Sequence, residues 1–106
     1  KTNWQRILAY YDLLVQMHPT AIVSLNRLTV VCKIKGTEET LKELNQSPYL
    51  KEWEKHYLYY SLLGELYAST DKQKANRSFE RAISLTHSEA EKKLLKRKIA
   101  QLQTGT

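Results

Sequence analysis

The stretch PTAIVSLNRLTVV, residues 19–31, reads as one helix of mostly apolar residues, and the fold follows from what this helix packs against. Its middle holds a polar pair, Asn26 and Arg27. An unpaired buried polar group costs about 1–3 kcal/mol. The pair must therefore face water, a buried partner or a ligand, and the rest of the chain has to indicate which.

The composition is that of an ordinary globular domain. The chain has 106 residues, of which 42% are hydrophobic and 26% are charged, with 3 Gly and 2 Pro. We expect one domain over residues 1–106 and, because the sequence starts at Lys1 without an initiator Met, a fragment of a longer chain. No apolar run approaches the ~18 residues that a membrane span needs. The single Cys32 excludes an internal disulfide, fits a reducing cytoplasm and is expected to be a small core residue.

The sequence predicts an all-α fold of six helices. No stretch alternates apolar and polar residues for long enough to predict a strand. Capping boxes at Thr2–Gln5 and Ser88–Glu91 predict two helix starts, and Gly36 predicts a helix end. The helices are expected at about residues 3–17, 20–35, 37–47, 51–69, 71–86 and 88–103.

The charge is unevenly distributed along the chain. The net charge is +6, and residues 71–106 carry 9 basic and 4 acidic residues. The capping helix at 88–103 sets a basic face opposite an apolar stripe of Leu94, Leu95, Ile99 and Leu102. A nucleic-acid site would need aromatic or polar readers among the basic residues, and this helix has none. We therefore expect a solvated face and no sequence-specific DNA contact.

A 34-residue repeat relates the helices to one another. A shift of 34 residues superimposes Leu25 on Tyr59, Leu28 on Leu62, Cys32 on Leu66 and Gly36 on Thr70. This period resembles that of tetratricopeptide repeats, whose second helix carries apolar or small residues at i, i+4 and i+7. That spacing is matched by Ile7, Tyr11 and Leu14, and again by Ala75, Phe79 and Ala82. We expect a tetratricopeptide-like stack of helix hairpins with a short, irregular middle repeat.

Four stretches in a fixed order carry a closer resemblance. They are W-x-x-I-x-x-Y-Y-D-x-L at residues 4–14, HPTAIVSLNRLTVV at 18–31, ANRSFERAISLT at 75–86 and SEAEKKLLKRKIAQL at 88–102. Together they resemble the C-terminal, tetratricopeptide-like extension of bacterial extracytoplasmic-function (ECF) RNA polymerase sigma factors. The Leu25-Asn26-Arg27 step is the most specific element of the match.

The resemblance implies a cytoplasmic regulatory module that tunes transcription initiation by protein–protein contact. Its partners would be the upstream sigma-factor domains and the RNA polymerase core, or a peptide or regulatory protein, with no membrane involved. An alternative is a stand-alone tetratricopeptide adaptor that binds an acidic or C-terminal peptide in its concave groove. A nucleic-acid binder is a third, weaker hypothesis.

The repeat frame predicts a protein-contact groove. The 34-residue shift maps a face of the second helix onto a face of the fourth, and tetratricopeptide arrays use such faces to hold peptides. The predicted groove residues are Val23, Asn26, Arg27, Val30, Lys33, Tyr57, Tyr60 and Tyr67. Asn26 either contacts a ligand there or bonds a loop carbonyl as a structural amide. Arg27 lies ~100° further round the helix and is expected to pair with an acidic residue or to reach solvent.

Few residues suggest chemistry. His18, His56 and His87 lack metal-ligand spacing, and no Ser-His-Asp pattern, phosphate loop or Cys-x-x-Cys is present. We expect no enzyme, no cofactor and no metal. Tyr11 and Tyr59 are expected in the core, whereas Tyr57, Tyr60 and Tyr67 are expected to be partly open.

Overall fold

The computed structural model describes residues 2–104, and within that range the regular elements are all helices. The helices are α1 (Trp4–Met17), α2 (Ala21–Lys35), α3 (Thr37–Gln46), α4 (Leu50–Trp53), α5 (Tyr57–Tyr67), α6 (Lys72–Leu85) and α7 (Glu89–Thr104). The predicted all-α class is confirmed. The described part of the chain has seven helices rather than the six expected.

The chain divides into two compact units, Lys1–Trp53 (unit 1) and Glu54–Thr106 (unit 2). The boundary falls inside the helix that we expected at 51–69, which is in fact split into α4 and α5. His56 has extended backbone angles, φ −111° and ψ 134°, so the helix cannot continue through it. The single domain over residues 1–106 stays a prediction.

A long-range hydrogen bond anchors the last residue of α4. The indole Nε1 of Trp53 donates to the carbonyl oxygen of Ala21 at 2.7 Å, and the Trp53 side chain is almost completely buried. Tyr49 adds a second link, because its hydroxyl donates to the carbonyl oxygen of Pro19 at 3.0 Å. Both bonds hold the α4 segment against the start of α2, so the helix direction there is fixed by tertiary contacts.

In unit 1, α2 packs between α1 and α3. Its buried residues include Leu25 and Leu28, two of the positions that the repeat superimposes on later apolar residues, and also Val31, which the repeat did not indicate. Cys32 is half-buried rather than a core residue. At the start of α1, the cap is Asn3 rather than the expected Thr2, because the Asn3 side chain accepts the backbone N–H of Arg6.

In unit 2, α6 packs between α5 and α7. The core cluster of this unit consists of Ala75, Phe79, Ala82 and Leu95. Gly64 of α5 faces Phe79, and a Cβ at position 64 would overlap the Phe79 ring. The start of α7 is capped as predicted, since Ser88 Oγ accepts the backbone N–H of Glu91 at 3.2 Å. Leu94, which we expected in the apolar stripe of α7, is exposed.

The helix boundaries follow the 34-residue period in the outer repeats. The first residues of α1 and α6 lie 68 positions apart, as do those of α2 and α7, which equals two periods. The middle repeat departs from the period, because α4 is inserted before α5. The expectation of a short, irregular middle repeat agrees with these boundaries.

Replacing Gly36 tests the connection between α2 and α3. Gly36 has φ 86° and ψ −177°, a region that is essentially restricted to glycine. We expect Gly36→Ala to lower the free energy of unfolding by about 1–3 kcal/mol, measured by urea denaturation followed by circular dichroism. The control Lys35→Ala, an exposed neighbour, should stay within about 0.5 kcal/mol of the parent. A Gly36→Ala variant as stable as the control would contradict the requirement for glycine at this position.

Replacing Gly64 tests the close approach of α5 and α6. Without a clash, alanine would stabilise a helix by about 1 kcal/mol relative to glycine. Because a Cβ would overlap Phe79, we instead expect Gly64→Ala to destabilise by about 1–3 kcal/mol. Combining it with Phe79→Leu should cost less than the two single changes together, by at least about 0.5 kcal/mol. Additive losses in this double-mutant cycle would show that the two side chains are not in direct competition for space.

Candidate functional site

The predicted groove residues of unit 1 differ in their exposure. Val23 and Asn26 are half-buried and Lys33 is exposed, whereas Val30 is buried and unavailable to a ligand. The Asn26 side chain makes no hydrogen bond to any of residues 2–104. The structure therefore supplies no carbonyl partner for this amide within the described range. A ligand contact at Asn26 stays a prediction.

Arg27 links three helices of unit 1. Its Nε donates to Asp12 Oδ1 of α1 at 2.6 Å, and its Nη1 donates to Glu43 Oε1 of α3 at 2.9 Å. Burial lowers the pKa of Arg27, but the hydrogen bonds and charges of both carboxylates outweigh it, so the pKa lies above its ordinary value. The predicted pairing with an acidic residue is confirmed, and Arg27 is engaged within the unit.

The predicted tyrosines of unit 2 lie at the edge of its core. Tyr57, Tyr60 and Tyr67 are half-buried and pack against the core cluster. Tyr59 is buried, as expected, and burial, together with the neighbouring Tyr60, raises its pKa. Tyr11, expected in the core of unit 1, is only half-buried. That the unit 1 and unit 2 residues line one shared groove stays a prediction.

Two of these tyrosines lie beneath cations of α6. Lys74 Nζ is 4.6 Å from the centroid of the Tyr67 ring, and Arg81 Cζ is 5.7 Å from that of Tyr60. Both distances are within the range of a cation–π interaction. Tyr60 and Tyr67 are seven residues apart on α5, and Lys74 and Arg81 are seven residues apart on α6. Because the two helices are antiparallel, the first tyrosine meets the second cation. These pairs were not predicted from the sequence, because they depend on the register between α5 and α6.

The outer face of α1 is apolar and exposed. Tyr10, Leu13 and Met17 lie at i, i+3 and i+7, with exposed fractions of 61%, 55% and 64%. Large contiguous apolar patches are typical of protein-interaction surfaces. This face was not predicted from the sequence, although its residues have the i, i+3, i+7 spacing of one helical face. We call these three residues the α1 face.

Unit 2 also contains a cavity of about 420 Å³, within the size range of ligand pockets. It is lined by Glu65, Ala68, Ser69, Lys72, Phe79, Lys98, Gln101 and Leu102. Lys98 Nζ donates to Glu65 Oε2 at 3.0 Å across its wall, so a charged ligand would compete with this ion pair. This cavity was not predicted from the sequence, because it forms where α5, α6 and α7 meet.

Among residues 2–104, no three His, Cys, Asp or Glu side chains are grouped so that they could hold a metal ion. The described helices include none that is long and apolar enough to cross a membrane. Comparison with protein-family models, curated proteins and solved structures gave no match to this chain.

Alanine substitutions of Asn26 and Arg27 on α2 test whether each side chain contributes to stability. Because Asn26 has no hydrogen-bond partner among the described residues, Asn26→Ala should change the free energy of unfolding by no more than about 0.5 kcal/mol. Arg27→Ala should cost about 1 kcal/mol, since it leaves Asp12 and Glu43 without their shared cation. Urea denaturation at low and high salt provides the measurement, and the Arg27 effect should shrink at high salt. A loss of 1 kcal/mol or more for Asn26→Ala would make it a structural amide.

Proposed function

We propose that this chain is the C-terminal regulatory module of an ECF-type RNA polymerase sigma factor and acts through protein–protein contact. In this proposal the module works in the bacterial cytoplasm, has no catalytic activity and tunes transcription initiation by contacting the sigma-factor domains that precede it. The ordered resemblance of four sequence stretches supports the sigma-factor origin, and the all-helical hairpins are compatible with it.

The α1 face carries the protein-contact part of the proposal. Tyr10, Leu13 and Met17 expose apolar surface on the first helix of the chain. In a sigma factor of the kind proposed, the preceding domains are joined to this helix, so the α1 face is the surface that they would meet first. Burying the α1 face against a partner would contribute about 25 cal/mol of favourable free energy for each Å² of apolar area removed from water.

The alternative function is a stand-alone adaptor that binds a peptide. The half-buried tyrosines of unit 2 and the cations above them favour this alternative, since they offer aromatic surface and positive charge together. The gene sequence ahead of Lys1 distinguishes the two. Sigma-factor domains encoded in frame would support the first proposal, and their absence would support the adaptor.

Reconstituted transcription tests the proposal. The full-length sigma factor would be compared with a version that lacks residues 1–106 of this chain, each bound to RNA polymerase core at the same promoter. We expect removal of the module to change promoter-dependent transcription several-fold. Leu13→Glu combined with Met17→Glu in the full-length protein should reproduce a large part of that change, because a charged side chain opposes burial of the α1 face.

Leu94→Glu provides the matched control, since Leu94 is also an exposed leucine but lies on α7. It should leave transcription close to the parent level, and circular dichroism should show that all variants remain helical. Asn26→Ala, with the exposed Asn45→Ala as its control, tests the predicted groove in the same assay. Unchanged transcription after removal of the whole module would refute the regulatory role.

A further inference from the structure

Three basic residues of α6 form an exposed ridge in unit 2. Lys74, Arg77 and Arg81 lie at i, i+3 and i+7, which places them on one face of the helix, and all three are exposed. They form no ion pair with any other of residues 2–104. The ridge therefore places three uncompensated positive charges within about 10.5 Å along the helix axis.

Tyrosines of α5 support both ends of this ridge. Lys74 lies over the Tyr67 ring and Arg81 over the Tyr60 ring, and both rings pack against the core cluster of the unit. Cation–π contacts restrict the positions of two long side chains, so less conformational entropy is lost when they bind a partner. The ridge thus presents partly ordered cations rather than freely moving ones.

The same contacts argue against single-stranded nucleic acid as the ligand. Proteins that bind single strands stack bases on open aromatic faces. Here the rings of Tyr60 and Tyr67 are half-buried against the core and covered by Arg81 and Lys74, so little ring face is left for a base. Carboxylates, in contrast, can pair with the outward-facing donors of the cations without displacing them from the rings.

We propose that the ridge of Lys74, Arg77 and Arg81, with Tyr60 and Tyr67 beside it, docks an acidic amphipathic helix of a partner protein. A helix has the same rise per residue as α6, so glutamates at i, i+3 or i+4, and i+7 of the partner meet the three cations in register. Apolar side chains next to those glutamates contact the exposed edges of the tyrosine rings. The inference needs only unit 2 and does not depend on the sigma-factor proposal.

The binding experiment uses the 106-residue chain and a designed probe. The probe is a fluorescein-labelled helical peptide of about 18 residues, with glutamates at the three matching positions and leucines on the adjoining face. Its control has the same composition in scrambled order. Fluorescence anisotropy should show saturable binding of the probe, weaker binding of the scrambled peptide, and affinity that falls as salt rises.

Two triple charge reversals separate the ridge from general positive charge. Lys74→Glu, Arg77→Glu and Arg81→Glu together should weaken binding at least about tenfold, as expected for the loss of three ion pairs. The matched control reverses Lys93, Lys96 and Arg97, which are also exposed and unpaired within residues 2–104 but lie on α7. It should weaken binding less than about threefold, a purely long-range effect.

A charge swap gives a positive result that general unfolding cannot mimic. A probe with lysines in place of its glutamates should bind the α6 triple variant better than it binds the parent chain. If the glutamate variant loses helical content by circular dichroism, the triple glutamine variant of the same residues replaces it, with an intermediate loss of affinity expected.

The following results would overturn the proposal. Absence of saturable binding, or equal weakening by the α6 and α7 reversals, would show that the ridge is not a specific docking site. Single-stranded oligothymidylate is tested as a competitor of the probe. If it binds more tightly than the probe, and if only the α6 reversal abolishes its binding, the ridge is a nucleic-acid site instead. These outcomes are independent of the transcription assay, so either proposal can fail alone.

Discussion

The packing of α5 against α6 in unit 2 depends on the absence of a side chain at Gly64. Because nothing but hydrogen projects from this position, the ring of Phe79 packs directly against the α5 backbone and becomes almost completely buried. The close approach of α5 and α6 also fixes their register, and it is this register that places Tyr60 and Tyr67 beneath Arg81 and Lys74. One packing constraint in the core therefore sets the geometry of a charged surface.

Much of the fold was predictable because local signals and the repeat agree. Gly36 ends α2 where its positive φ requires glycine, Ser88 caps α7, and the 34-residue period places the outer helices. The break between α4 and α5 was not predicted, because the apolar residues between Trp53 and Tyr67 favoured one continuous helix, although residues 51–56 are mostly polar. At the end of α4 the indole of Trp53 bonds to Ala21, a contact between positions 32 residues apart that local pattern does not indicate.

Less of the candidate site could be predicted, for a related reason. Periodicity indicates which residues share a helical face, but it does not indicate what covers that face. Val30 was predicted to line a groove and is buried, whereas the α1 face was not predicted and is exposed. For Arg27 the sequence left an acidic partner and solvent as alternatives, and its attachment to both Asp12 and Glu43 depends on the packing of three helices.

The placement of the tryptophans gives unit 1 a spectroscopic reporter of its own. Both Trp4 and Trp53 belong to unit 1, whereas unit 2 contains tyrosines but no tryptophan. Trp53 is buried and Trp4 is partly exposed, so the indole emission of the folded chain combines an apolar and a wet environment. Tryptophan fluorescence therefore follows the melting of unit 1, while far-ultraviolet dichroism follows both units. Any difference between the two curves measures how independently the units unfold.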